Sequence, residues 1–117
     1  MQPKDKFAHL VRYLKKQFPE ITFRVYRRSA PKGYWGWCDK NKKGEFIILV
    51  DKDAGYGGQV FMLIHELAHA LSFDKDKHPS DHGPIFGMAY AKAWRVYQEW
   101  IKTPWKALKT QEKKSKG

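Results

Sequence analysis

The sequence predicts a single α+β domain of three main helices and a small three-stranded sheet, and three observations carry that expectation. Apolar residues recur at helical spacing near both ends, at Phe7, Leu10, Val11, Leu14 and Phe18 and again at Phe86, Ala89, Tyr90, Ala93, Tyr97 and Trp100. Between them lie short segments that alternate or run continuously apolar, as strands do. A third helical segment, from Val60 to Phe73, is apolar on nearly every side, which describes a helix buried at the centre of a small domain. With 117 residues the chain supports one modest core, and five Trp, six Tyr and seven Phe let it bury much area with few residues.

Taken in order, the first helix is expected from about Lys4 to Gln17, stopping before Pro19. His9 lies off its apolar stripe and reads as a surface residue. Ile21, Phe23 and Val25 alternate with Thr22, Arg24 and Tyr26, giving a first strand with one buried face. After a turn at Ala30 to Gly33, Tyr34 to Cys38 reads as a second strand, where Gly36 either weakens the strand or marks a close backbone approach. Asp39 to Gly44 is a polar turn, and Glu45 to Asp51 is a third strand whose continuous apolar run predicts burial on both faces and a central position. A glycine-rich connection, Asp53 to Gly58, leads into the central helix, expected from about Gly58 to Phe73. Beyond a polar loop from Asp74 to Gly83, Pro84 suits the first turn of a last helix that ends before Pro104. The domain is thus expected over residues 1–105, followed by a lysine-rich flexible tail over residues 106–117.

Within the central helix stands His65-Glu66-Leu67-Ala68-His69. Two imidazoles four residues apart are separated by about 40° of rotation and about 6 Å of rise, so both can reach one metal ion. Glu66 falls beside that ion, where a carboxylate can take a proton from water activated by the metal, the arrangement of zinc hydrolases. Read as a mere pair of core histidines, the segment would leave Glu66 a buried charge with no evident partner. A catalytic zinc takes three protein ligands and one open position. Candidates for the third are His82, His78, Asp74, Asp76, Asp81 and, on the last helix, Glu99. His82 is the best placed, because it directly precedes a helix that can pin it against the central one, and imidazole suits zinc.

The formal charge of +11 attracts polyanions whatever the fold, although its lysines and arginines are spread along the chain. Weak, non-specific DNA binding is therefore expected as a second property. Cys38, the only cysteine, excludes an internal disulfide and suits a reducing compartment. No charged leader with an apolar h-region opens the sequence, and no uncharged apolar run approaches the roughly 18 residues of a membrane span. These features predict an intracellular, cytoplasmic, soluble monomer without a signal peptide or a membrane partner.

His65-Glu66-Leu67-Ala68-His69-Ala70, followed by Asp81-His82-Gly83-Pro84-Ile85-Phe86, resembles the SprT-like zincins, the group containing the DNA-protein crosslink protease Spartan. That family's pattern is HExxHA, a short polar loop, then GHGPxF or a close relative; Asp81 stands where the family often has Gly. The resemblance covers about Ile21 to Trp100. It implies one Zn2+ per chain on His65, His69 and His82, with Glu66 as the catalytic acid/base. The implied fold is a minimal zincin, in which a three-stranded mixed sheet packs over the HExxH helix. It implies further that an extended protein or peptide substrate adds as a strand along Tyr34, Trp35, Gly36, Trp37 and Cys38. No cysteine-rich zinc ribbon follows this core and the tail shows no recognition motif, so what targets Spartan to DNA is not carried over. Small SprT-like chains of this kind look like bacterial or phage proteins.

The resulting expectation is a zinc metallopeptidase, with DNA-associated proteins among its substrates. An oxyanion donor is needed as well, and Tyr56, Tyr90 and His78 are candidates that the sequence does not rank. Two rival readings stand beside it. One is a structural zinc site closed by Cys38 as fourth ligand; the other is a basic nucleic-acid-binding protein whose zinc site is structural or inactive.

Overall fold

The computed structural model describes residues 5–29, 36–73 and 83–102, an α+β arrangement of three helices and a three-stranded mixed sheet. The first helix, α1 (Lys6–Gln17), starts two residues later than its spacing predicts. The Asp5 carboxylate accepts the Ala8 N–H at 3.0 Å and so makes Asp5 the cap instead of part of the helix. Phe7, Leu10 and Leu14 are buried as expected. His9 is not on the surface: it is only 4% exposed, and the Trp100 indole N–H donates to its Nδ1 at 3.1 Å. The apolar stripe of one helix says nothing about a neighbour covering its flank. Here the end of the last helix covers it.

Strands β1 (Phe23–Arg28), β2 (Gly36–Lys40) and β3 (Phe46–Asp51) form a sheet in the order β1-β3-β2. The first pairs parallel to β3, Phe23 opposite Phe46, and β2 pairs antiparallel to it, Gly36 opposite Val50. The apolar run of β3 thus occupies the central position it predicts, but only one of its faces is fully buried. Phe46, Ile48 and Val50 belong to the core, while Ile47 and Leu49 on the other face are half-buried and lie outside it.

The second strand also differs from expectation. Asp39 and Lys40 pair with Ile47 and Phe46 and so belong to β2, not to the turn. The reversal is made by residues 41–45: Asn41 Oδ1 accepts the N–H groups of Lys43 and Glu45, and Gly44 takes a φ of 85°. Tyr34 and Trp35 lie outside the described residues.

Helix α2 (Tyr56–Ser72) carries the HExxH segment and begins two residues before the expected Gly58. Gln59, in its first turn, explains the stable start. Its side-chain amide donates to the carbonyls of Asp51, Lys52 and Ala54, tying the end of β3 and the connection to the helix. Leu63, Ile64, Leu67 and Ala68 have no exposed surface, and α2 contacts β2 and β3 on one flank and α3 (Pro84–Lys102) on another. On α3, Phe86, Ala93, Val96 and Trp100 are buried, with Ala89, Tyr90, Trp94 and Tyr97 half-buried beside them. Among the described residues no helix is long and apolar enough to cross a membrane.

Candidate metal centre

Helical periodicity arranges the site on two adjacent lines along α2. Phe61, His65 and His69 recur every four residues on one line, and Gly58, Met62 and Glu66 on the next. The first line faces α3. The phenyl ring of Phe86 lies with its centroid 4.5 Å from that of His69 and 5.4 Å from that of His65, and the Tyr90 ring is 6.0 Å from His65. Phe61 stacks on His65 at 6.3 Å and also meets Trp94. His65 is thus flanked by Phe61, Phe86 and Tyr90, and His69 by Phe86.

The second line faces β2. A Cβ placed on Gly36 would lie 3.3 Å from Met62 Cβ, 3.3 Å from the Leu49 carbonyl oxygen and 3.5 Å from Glu66 Cγ. Gly36 thus marks the close approach that the sequence raised as one explanation, and the approach is to the helix carrying Glu66. Gly36→Val should push β2 away from α2 and cost about 1–3 kcal/mol, as overpacking does. A urea unfolding midpoint lowered accordingly would show it.

One ligand atom from each of His65, Glu66 and His69 lies within 4.8 Å of the other two, and the two imidazole centroids are 4.9 Å apart. The group could hold a metal ion. Two imidazoles one turn apart with a carboxylate beside them suit a divalent zinc. Burial alone pushes the Glu66 carboxyl up to about 7.

In the metal-free protein that shift has a definite sign. A carboxyl raised in the fold contributes stability that is complete below its unfolded value of about 4.5 and is lost as pH rises through about 7. Metal-free Glu66→Gln should therefore match metal-free wild type below about pH 4.5 and be the more stable above about pH 7. Thermal melts in chelator across that range would show the two curves separating.

The other residues expected at the site fall in different places. Tyr90 stands against His65. Tyr56 does not: it is the first residue of α2, ten residues and about 15 Å of helix before Glu66. There it faces Lys6 and Tyr97, and burial, together with the charge of and a hydrogen bond to Tyr97, pushes its hydroxyl up to about 12. Gly36 and Cys38 share the β2 face toward α2, whereas Trp37 lies on the opposite face, 44% exposed.

Burial, followed by the charges of Glu66 and Asp39, pushes the Cys38 thiol up to about 12. Among the described residues the metal-competent group contains His65, Glu66 and His69 without Cys38 or Glu99. Glu99 is exposed and acts on Tyr13 of α1. His78 and His82 lie outside the described residues.

The sequence marks Phe86 as core and Phe61 as one of the apolar residues around the histidines of a buried helix, whereas Phe61 is 49% exposed, and it gives Trp94 no role. The signal for Phe61 was its place four residues before His65. Trp94 sits four residues after Tyr90, but nothing in α3 alone shows that this line meets the histidines. No family model, no curated protein and no solved structure matches the chain.

Proposed function

We propose that the chain is a zinc-dependent peptidase of the SprT-like, minimal zincin type, with its mixed sheet packed over the HExxH helix. The observation that carries the reading is the convergence of His65, Glu66 and His69 within 4.8 Å, between a sheet strand and an aromatic wall. His65 and His69, with His82 as the third ligand from the sequence, would hold one zinc. Bound zinc would supply Lewis acidity toward a peptide carbonyl and lower the pKa of water.

Glu66 is the proton carrier of this scheme. It takes the proton of the attacking water and returns it to the leaving amine. Phe61 and Phe86 flank the imidazoles. Tyr90, close to His65, is the best-placed described residue to donate to the oxyanion. An extended substrate would add along β2, an outer strand of the sheet, through main-chain hydrogen bonds that tolerate many sequences. Cleavage of an unstructured protein by the zinc-loaded chain, with and without DNA, tests the activity and its dependence on DNA together.

The charge of +11 supports weak DNA binding alongside, the property on which the second reading rests, a basic nucleic-acid-binding protein whose zinc site is structural or inactive. Affinity should fall steeply with salt and be insensitive to Glu66→Gln. Titrations at several salt concentrations check this; no binding at low salt would leave the charge as a solubility feature.

A further inference from the structure

Strand β2 is an outer strand of the sheet, and the hydrogen bonds around it show which of its main-chain groups face outward. The Asn41 N–H donates to the Glu45 carbonyl at 2.8 Å, one step beyond the pair of Lys40 with Phe46. Bonded and non-bonded pairs alternate in an antiparallel ladder. Asp39 with Ile47 and Trp37 with Leu49 are therefore bonded pairs, while Lys40, Cys38 and Gly36 turn their N–H and C=O groups to the free edge. Two further bonds agree. The Phe46 N–H donates away from β2, to the Thr22 carbonyl at 2.9 Å, and the Lys40 N–H is taken by Asp39 Oδ1 at 2.8 Å. With Lys40 so engaged, the edge open to an added strand runs, among the described residues, from Gly36 to Cys38, the stretch that meets Glu66.

In a strand added along this edge, the residues opposite Gly36 and Cys38 point toward α2, and the one between them points to the other face of the sheet, beside Trp37. On that face Trp37, Leu49 and Tyr26 stand in register across β2, β3 and β1. Helices α1 and α2 meet the sheet on the opposite face, at Arg27 and Gly36, so among the described residues no helix covers this row. Trp37, at its open end, is 44% exposed. Resting on the peptidase reading above, we infer that Trp37 is a specificity-determining residue, which selects an aromatic side chain at the substrate position between the residues bonded to Gly36 and Cys38. In an antiparallel addition that position forms a non-bonded pair with Trp37, the pair with Cα atoms about 4.5 Å apart, where side chains come closest. A ring there covers the indole and extends the row Tyr26–Leu49–Trp37 onto a fourth strand, whereas glycine leaves it bare. Asp39, the next residue of β2 on that face, disfavours an acidic occupant.

The test has a cleavage arm and a binding arm. In the first, the cuts that zinc-loaded wild type makes in an unstructured protein are mapped by mass spectrometry, and aromatic residues are expected at one fixed position relative to the cut. Two peptides built on a mapped cut, with Tyr or Gly at that position, should differ in kcat/KM by about threefold to tenfold. Trp37→Ser should bring this ratio to about one and Trp37→Tyr should keep it, each variant retaining a cooperative thermal melt because the indole is exposed. In the second arm, acetyl-Thr-Thr-Tyr-Thr-Thr-amide and its counterpart with Gly in the centre are titrated into zinc-loaded Glu66→Gln, and the indole N–H signal of Trp37 is followed. A saturable shift is expected with the Tyr peptide only. No fixed aromatic position, a ratio unchanged in Trp37→Ser, or no saturable shift of that signal would overturn the role of Trp37. A saturable shift without any cleavage by wild type would instead overturn the peptidase reading and leave the pairing at Trp37 standing.

Discussion

Zinc-loaded Glu66→Gln is expected to retain one zinc per chain and to cleave an unstructured protein about 10² to 10⁴ times more slowly than wild type. The amide keeps the shape of the side chain between Gly36 and the histidines, so neither β2 nor the imidazoles should move. What it loses is the proton acceptor. A carboxylate takes the proton of the water and passes it on, whereas a carboxamide does not take one. Cleavage rates measured beside zinc content separate this loss from a loss of metal. Rates equal in the two proteins would remove Glu66 from the mechanism.

The double variant His65→Ala with His69→Ala is expected to bind no zinc and to lose the stabilisation that zinc gives the wild type. A ligand at one hundred times its Kd stabilises the folded state by about 2.7 kcal/mol, because only that state assembles the site. Thermal melts with and without added zinc should therefore differ for wild type and coincide for the variant. Removing two imidazoles from the aromatic wall also loosens the packing of Phe86 and Phe61, which makes the zinc-dependent difference, not the absolute Tm, the quantity to compare. His82→Ala should lose most of the metal as well. Full zinc occupancy in that variant, with loss in Glu99→Gln, would reverse the choice of third ligand; among the described residues the metal-competent group does not include Glu99.

The centre was legible in the sequence because its geometry is local. Four-residue spacing on one helix sets the relation of His65 to His69, whatever the rest of the chain does. The apolar run of β3 likewise foretold its central place, since few other positions in a small sheet tolerate five consecutive large apolar residues.

Contacts between elements distant in the chain were not legible. His9 looked exposed on its own helix, yet it is buried, and Trp100, 91 residues later, donates to it. Asp39 and Lys40 looked like turn residues, yet strand pairing with Ile47 and Phe46 outweighs their polarity. Tyr56 was a reasonable oxyanion candidate until the early start of α2, fixed by the three hydrogen bonds of Gln59, set it far along the helix from Glu66. Gly36 lay between these cases: glycine in a strand signals a close approach, but which element approaches is a tertiary fact.

The most direct measurement is cleavage of an unstructured protein by the purified wild-type chain before and after removal of metal with a chelator, followed by return of one equivalent of zinc. The account predicts cleavage that disappears with the metal and is restored by that single equivalent. Cleavage that persists without metal, or no cleavage at one zinc per chain, would contradict it.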